Sequence, residues 1–76
     1  MKGNFTVRFF RKEKNMYKQL GVHTFINSTY SYVLSNAVMS ARTAMLKYGR
    51  VSVVIKKDDK RYNEGERTIF KESFAA

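Results

Sequence analysis

Phe5, Val7 and Phe9 alternate with Thr6, Arg8 and Phe10, the period-two pattern of a strand that buries one face. The polar run Lys12-Glu13-Lys14-Asn15 that follows predicts a turn. Beyond it a second alternation puts Leu20, Val22 and Ile26 on one face, expected to be the core face, and Tyr17, Gln19, His23 and Phe25 on the other. The first third of the chain therefore reads as a hairpin.

The period then changes. Asn27, Ser28 and Thr29 are all residues whose short side-chain oxygen can accept a bond from a free amide in the first turn of a helix. From Tyr30 the positions Val33, Leu34, Ala37, Ala41, Ala44, Met45 and Tyr48 follow helical spacing down one side, and Gly49 stands where a left-handed C-terminal cap is wanted. Lys47 near that end suits the helix dipole.

After Gly49, Val51, Val53 and Ile55 alternate with Ser52, Val54 and Lys56 as another half-buried strand, with Lys57-Asp58-Asp59-Lys60 expected as a turn. Arg61 to Gly65 is expected to be a loop or a short extra strand. A last strand is expected within Arg67 to Phe74, but its phase is open: Phe70 and Phe74 favour one inward face and Ile69 the other. The elements predict an α+β fold, a four-stranded antiparallel sheet in ββαββ order with one long helix on one face.

With 76 residues, the sequence is expected to form a single domain spanning residues 1–76. A hydrophobic content of 43% separates it from a disordered basic tail. There is no cysteine to form a disulfide or supply a thiolate ligand, no stretch near the length of a membrane span, and no signal-peptide core, because Arg8 interrupts the first apolar run. A cytoplasmic location is the default expectation.

Charge narrows the partner class. The formal net charge is +9, and no acidic residue occurs between Glu13 and Asp58. Cations interleaved with aromatic rings point to a polyanion, nucleic acid first. On the hairpin, Arg8, Phe10 and Lys12 oppose the core set of one strand and Tyr17, Gln19, His23 and Phe25 that of its partner; Val54 and Lys56 join them if the third strand lies in the same sheet. Such a surface offers cations to phosphates and rings to unpaired bases, which favours single-stranded or looped RNA over duplex DNA. The candidate contacts are Arg8, Phe10, Lys12, Lys14, Tyr17, Lys18, Phe25 and Lys56. The bland alternative is an ordinary aromatic sheet surface with surplus lysine for solubility.

A second candidate surface lies on the helix, where Tyr32, Ser35, Met39, Arg42 and Leu46 recur along the side away from the core stripe. That spacing is a coiled-coil seam, suited to a host protein or to a homodimer. It supports an alternative function, a protein-binding inhibitor or self-associating adaptor, with positive charge steering it toward an acidic target.

Catalytic chemistry is not expected. His23 is the sole histidine, with no cysteine beside it and no second histidine for a metal pair, so no catalytic residue, metal site or cofactor is assigned. Asp58 and Asp59 are neighbours on an expected turn, and Glu64, Glu66 and Glu72 lie among bases that can pair with them. Neither a phosphate-binding loop nor a dinucleotide fingerprint occurs.

The layout of a Phe5-x-Val7 strand, a charged turn, a second strand, the Asn27-Ser28-Thr29 cap, an alanine-bearing helix and a Val51-x-Val53 strand resembles that of many small phage-encoded proteins. The resemblance covers most of the chain and implies a host-takeover or anti-defence role, in which a small factor blocks a host polymerase, a CRISPR effector or a toxin ribonuclease. It transfers no binding residues. The basic charge departs from the acidic character of a nucleic-acid mimic.

Overall fold

A computed structural model describes residues 2–58 and 65–75. Strands β1 (Lys2–Glu13) and β2 (Met16–Thr29) form a long hairpin, helix α1 (Tyr30–Tyr48) crosses over it, and β3 (Arg50–Asp58) and β4 (Glu66–Ala75) complete an antiparallel sheet in the order β2-β1-β3-β4. The expected ββαββ architecture is present. The first hairpin is longer than its alternation suggested: strand pairing continues to Glu13 and Met16, so the turn shrinks to Lys14-Asn15, with Lys14 at φ 56°. At the other end β3 runs through Lys57 and Asp58, which were expected to turn. Of the loop expected over Arg61 to Gly65, only Gly65 falls within the described residues.

The core forms where the apolar face of the two central strands meets the helix. Phe5, Val7 and Phe9 of β1, Val51, Val53 and Ile55 of β3, and Val33, Ala37 and Ala41 of α1 are all buried. Two alanines let the helix lie close to the sheet, and each fully buried aliphatic such as Val7, Val33 or Ile55 contributes about 1.5–3 kcal/mol. Both helix ends follow their local chemistry. Thr29 Oγ1 accepts from the Tyr32 amide at 3.3 Å, and the Gly49 amide donates to the Met45 carbonyl at 2.9 Å with φ at 85°.

Two register irregularities decide which side chains face the helix. Phe9 pairs with Gly21 but Phe10 with Gln19, so Leu20 is the extra residue of a bulge. Likewise Ile55 pairs with Phe70 but Lys56 with Thr68, so Ile69 is extra in β4. Each bulge shifts the alternation by one residue, and both extra residues still pack on the core. Ile69, Phe70 and Phe74 can therefore all serve the same core, which resolves the conflicting phases of the last strand.

The same shift corrects the reading of β2. Leu20 packs on the core and Tyr17 and Gln19 face away, as expected. Beyond the bulge the faces are inverted: His23 stands opposite Val7 and Phe25 opposite Phe5, on the helix side. Their rings confirm it, with His23 edge-on to Phe9 at 5.6 Å and Phe25 edge-on to Tyr32 at 6.1 Å. Val22, expected in the core, is opposite Arg8 on the open face and is 48% exposed. Ile26, also expected inside, is 73% exposed in a second irregularity. There Asn27 takes φ 53°, a conformation asparagine tolerates, and its amide donates to Asn4 Oδ1 at 2.9 Å.

Candidate nucleic-acid interface

Residues directly opposite in an antiparallel sheet share a face, so the register defines the surface that the helix leaves uncovered. One row across it is Thr24, Thr6, Lys56 and Thr68; the next is Val22, Arg8, Val54 and Lys71. A third is Gln19, Phe10, Ser52 and Ser73, and Tyr17 lies opposite Lys12 toward the hairpin tip. The hydroxyls of Ser52 and Ser73 are 2.9 Å apart, as neighbours on one face should be.

Five of the eight candidate contacts meet here: Arg8, Phe10, Lys12, Tyr17 and Lys56. Lys14 sits in the turn at the hairpin tip. Lys18 pairs with Arg11, whose guanidinium lies 5.3 Å from the centre of the Tyr48 ring at the helix C-terminus, so Lys18 belongs to the helix side. Phe25 is excluded from the open face by its packing on Tyr32. Lys71 was missed because the bulge at Ile69 hid the phase of β4; opposite Val54, it adds a cation on the far side of the sheet. Arg50, two residues before Ser52 on β3, belongs to the same face.

The centre of this face is concave. Phe10, Tyr17, Ser52, Val54, Lys71, Glu72 and Ser73 line a depression of about 580 Å³. Tyr17 is 61% exposed and Phe10 half-buried, so both rings present surface on which a planar group can stack. The paired serine hydroxyls offer both donors and acceptors at the floor.

Charge on the face is graded along the strands. Asp58 and Glu66 lie opposite each other at one end, and Arg8 reaches toward that end to place Nη1 3.9 Å from Glu66 Oε2. Both side chains of that pair are about one-third exposed, so the bond is weak. Toward the hairpin the cations Lys12, Arg50 and Lys71 have no acidic residue opposite them in the ladder. Positive charge therefore collects toward the aromatic end of the face and negative charge at the opposite end.

The outer side of α1 is exposed as expected: Tyr32, Ser35, Met39, Arg42 and Leu46 all face solvent, Leu46 at 87% and Met39 at 68%. Among the described residues no group of three metal-ligating side chains occurs, and no helix is long and apolar enough to cross a membrane. Comparison with protein-family models, with curated proteins and with solved structures found no match to this chain.

Proposed function

We propose that the chain is a non-enzymatic nucleic-acid-binding protein whose open sheet face takes single-stranded RNA. The observation that carries this reading is the row of Phe10 and Tyr17 around a concavity, flanked by Arg8, Lys12, Arg50, Lys56 and Lys71, on the face opposite the helix. Rings stack on unpaired bases, with a contribution of about 1–3 kcal/mol per base, while the cations neutralise phosphates. A duplex keeps its bases stacked on one another and cannot use the rings, and among the described residues no helix is rich in Arg, Lys, Asn and Gln for a major groove.

The basic charge and the resemblance of the layout to small phage-encoded factors support a role in inhibiting or regulating a host enzyme that works on nucleic acid. The exposed stripe Tyr32, Met39 and Leu46 favours a second reading, in which the helix docks on a protein target. The two readings are compatible on one molecule, because their surfaces lie on opposite sides of the sheet.

Fluorescence anisotropy with a single-stranded RNA, the same sequence as DNA, and a duplex tests the first reading. Phe10→Ala and Tyr17→Ala are expected each to weaken the single-stranded complex by roughly tenfold or more while the fold is retained. Equal affinity for the duplex, with no effect of either substitution, removes it.

A further inference from the structure

The charges of this chain are unevenly placed. Lys, Arg, Asp and Glu together number 21, yet none lies between Gln19 and Ala41. That segment is most of β2 and the first three turns of α1, and Phe25 and Tyr32 join the two in one ring contact of 6.1 Å. In a protein of net charge +9, the outer strand from Gln19 to Thr29 thus carries no formal charge of its own.

That strand also carries an open backbone edge. β2 is the outermost strand of the sheet, so among the described residues no strand pairs with its outer side. Between the irregularities at Leu20 and at Ile26-Asn27 the run Gly21–Phe25 is regular. Natural sheets guard such edges with charges, and the opposite edge obeys: β4 carries Glu66, Arg67, Lys71 and Glu72. The Gly21–Phe25 run has no such guard, and Val22 and Ile26 expose apolar surface along it.

We infer that β2 pairs antiparallel with β2 of a second copy of this chain through Gly21–Phe25, giving a two-fold dimer with one continuous eight-stranded sheet. A second copy fits better than an unrelated partner for two reasons. Antiparallel pairing of a segment with itself is self-complementary under a two-fold axis. Two chains of like charge can approach most closely through an edge strand that carries no charge of its own, whereas an acidic partner is drawn to the basic surfaces instead. A two-fold axis relating antiparallel neighbours in one sheet is perpendicular to it. Both helices then lie on one side, and the two open faces merge on the other.

The dimer is tested without any nucleic acid, so its outcome is separate from that of RNA binding. Sedimentation equilibrium is expected to return twice the chain mass of 8.9 kDa. Val22→Lys and Thr24→Lys, both at exposed positions on the free edge, are expected to weaken dimerisation by roughly tenfold or more by setting like charges across the pairing. Circular dichroism should show the fold retained, and Thr68→Lys on β4 should leave the dimer intact. Three results overturn the inference: a monomer mass at every concentration, a dimer unmoved by Val22→Lys and Thr24→Lys, or a dimer lost instead on Met39→Ser with Leu46→Ser.

Discussion

Deleting Leu20 should cost little more than truncating it. In the hairpin Phe9 pairs with Gly21 and Phe10 with Gln19, so Leu20 has no ladder position of its own. Its removal makes Gln19 and Gly21 consecutive, and the pairs on both sides close into a regular ladder without inverting any face. What is lost is the half-buried side chain that packs on the core. Full burial of a leucine is worth about 1.5–3 kcal/mol, so half burial sets the loss near 1 kcal/mol. In a domain of this size that lowers the melting midpoint by about 4–8 °C.

Leu20→Ala should fall by nearly the same amount, since it removes the same contact and leaves the bulge. The contrast is Val54, which sits in the regular pairing of β3 with β1. Deleting it inverts every residue on one side of the cut and should leave the chain unfolded. Thermal and urea denaturation followed by circular dichroism, on the wild type and the three variants, measure the differences. If the Leu20 deletion fails to fold, or costs more than about 3 kcal/mol while Leu20→Ala costs about 1 kcal/mol, Leu20 is an integral member of the ladder and the assignment of faces on β2 fails.

Further outcomes follow from the same geometry. Gly49→Ala forces a side chain onto a residue at φ 85° and should cost about 1 kcal/mol or more, read as a lower urea midpoint with unchanged m-value. Ala37→Leu overfills the close approach of α1 to the sheet and should destabilise by about 1–3 kcal/mol in the same assay. Phe25→Ala should lower stability through the lost contact with Tyr32, yet leave the RNA affinity of the folded protein within about twofold, because the ring is not on the open face. Met39→Ser with Leu46→Ser should change stability by no more than about 0.5 kcal/mol and leave RNA binding intact, while reducing capture of any protein bound by the helix.

Element order, the helix and its caps, and the buried faces of β1 and β3 were legible because each rests on a local signal. Val51, Val53 and Ile55 alternate without interruption, and Thr29 and Gly49 have the side chains their capping positions require. The faces of β2 were not legible, for a physical reason. An edge strand with apolar residues in both phases gives no unique alternation, and the bulge at Leu20 lets residues of opposite phase serve one core. The clash of Ile69 with Phe70 and Phe74 was the visible sign of the same device in β4; reading it as a bulge would have revealed Lys71. Of the residues expected on the open face, Arg8, Phe10, Lys12, Tyr17 and Lys56 lie there, none of them beyond a bulge on its own strand, whereas Phe25, beyond the Leu20 bulge, lies on the helix side.

The most direct measurement is the salt dependence of single-stranded RNA binding. Five cations on the open face, with Arg8 partly engaged by Glu66, predict a slope of log K against log salt of about −2.8 to −3.5, at roughly −0.7 per phosphate contact. In a variant with Lys12, Lys56 and Lys71 all changed to Gln, the slope should become shallower by about 2. A slope near zero, or one that the triple variant leaves unchanged, contradicts the assignment of this face to nucleic acid.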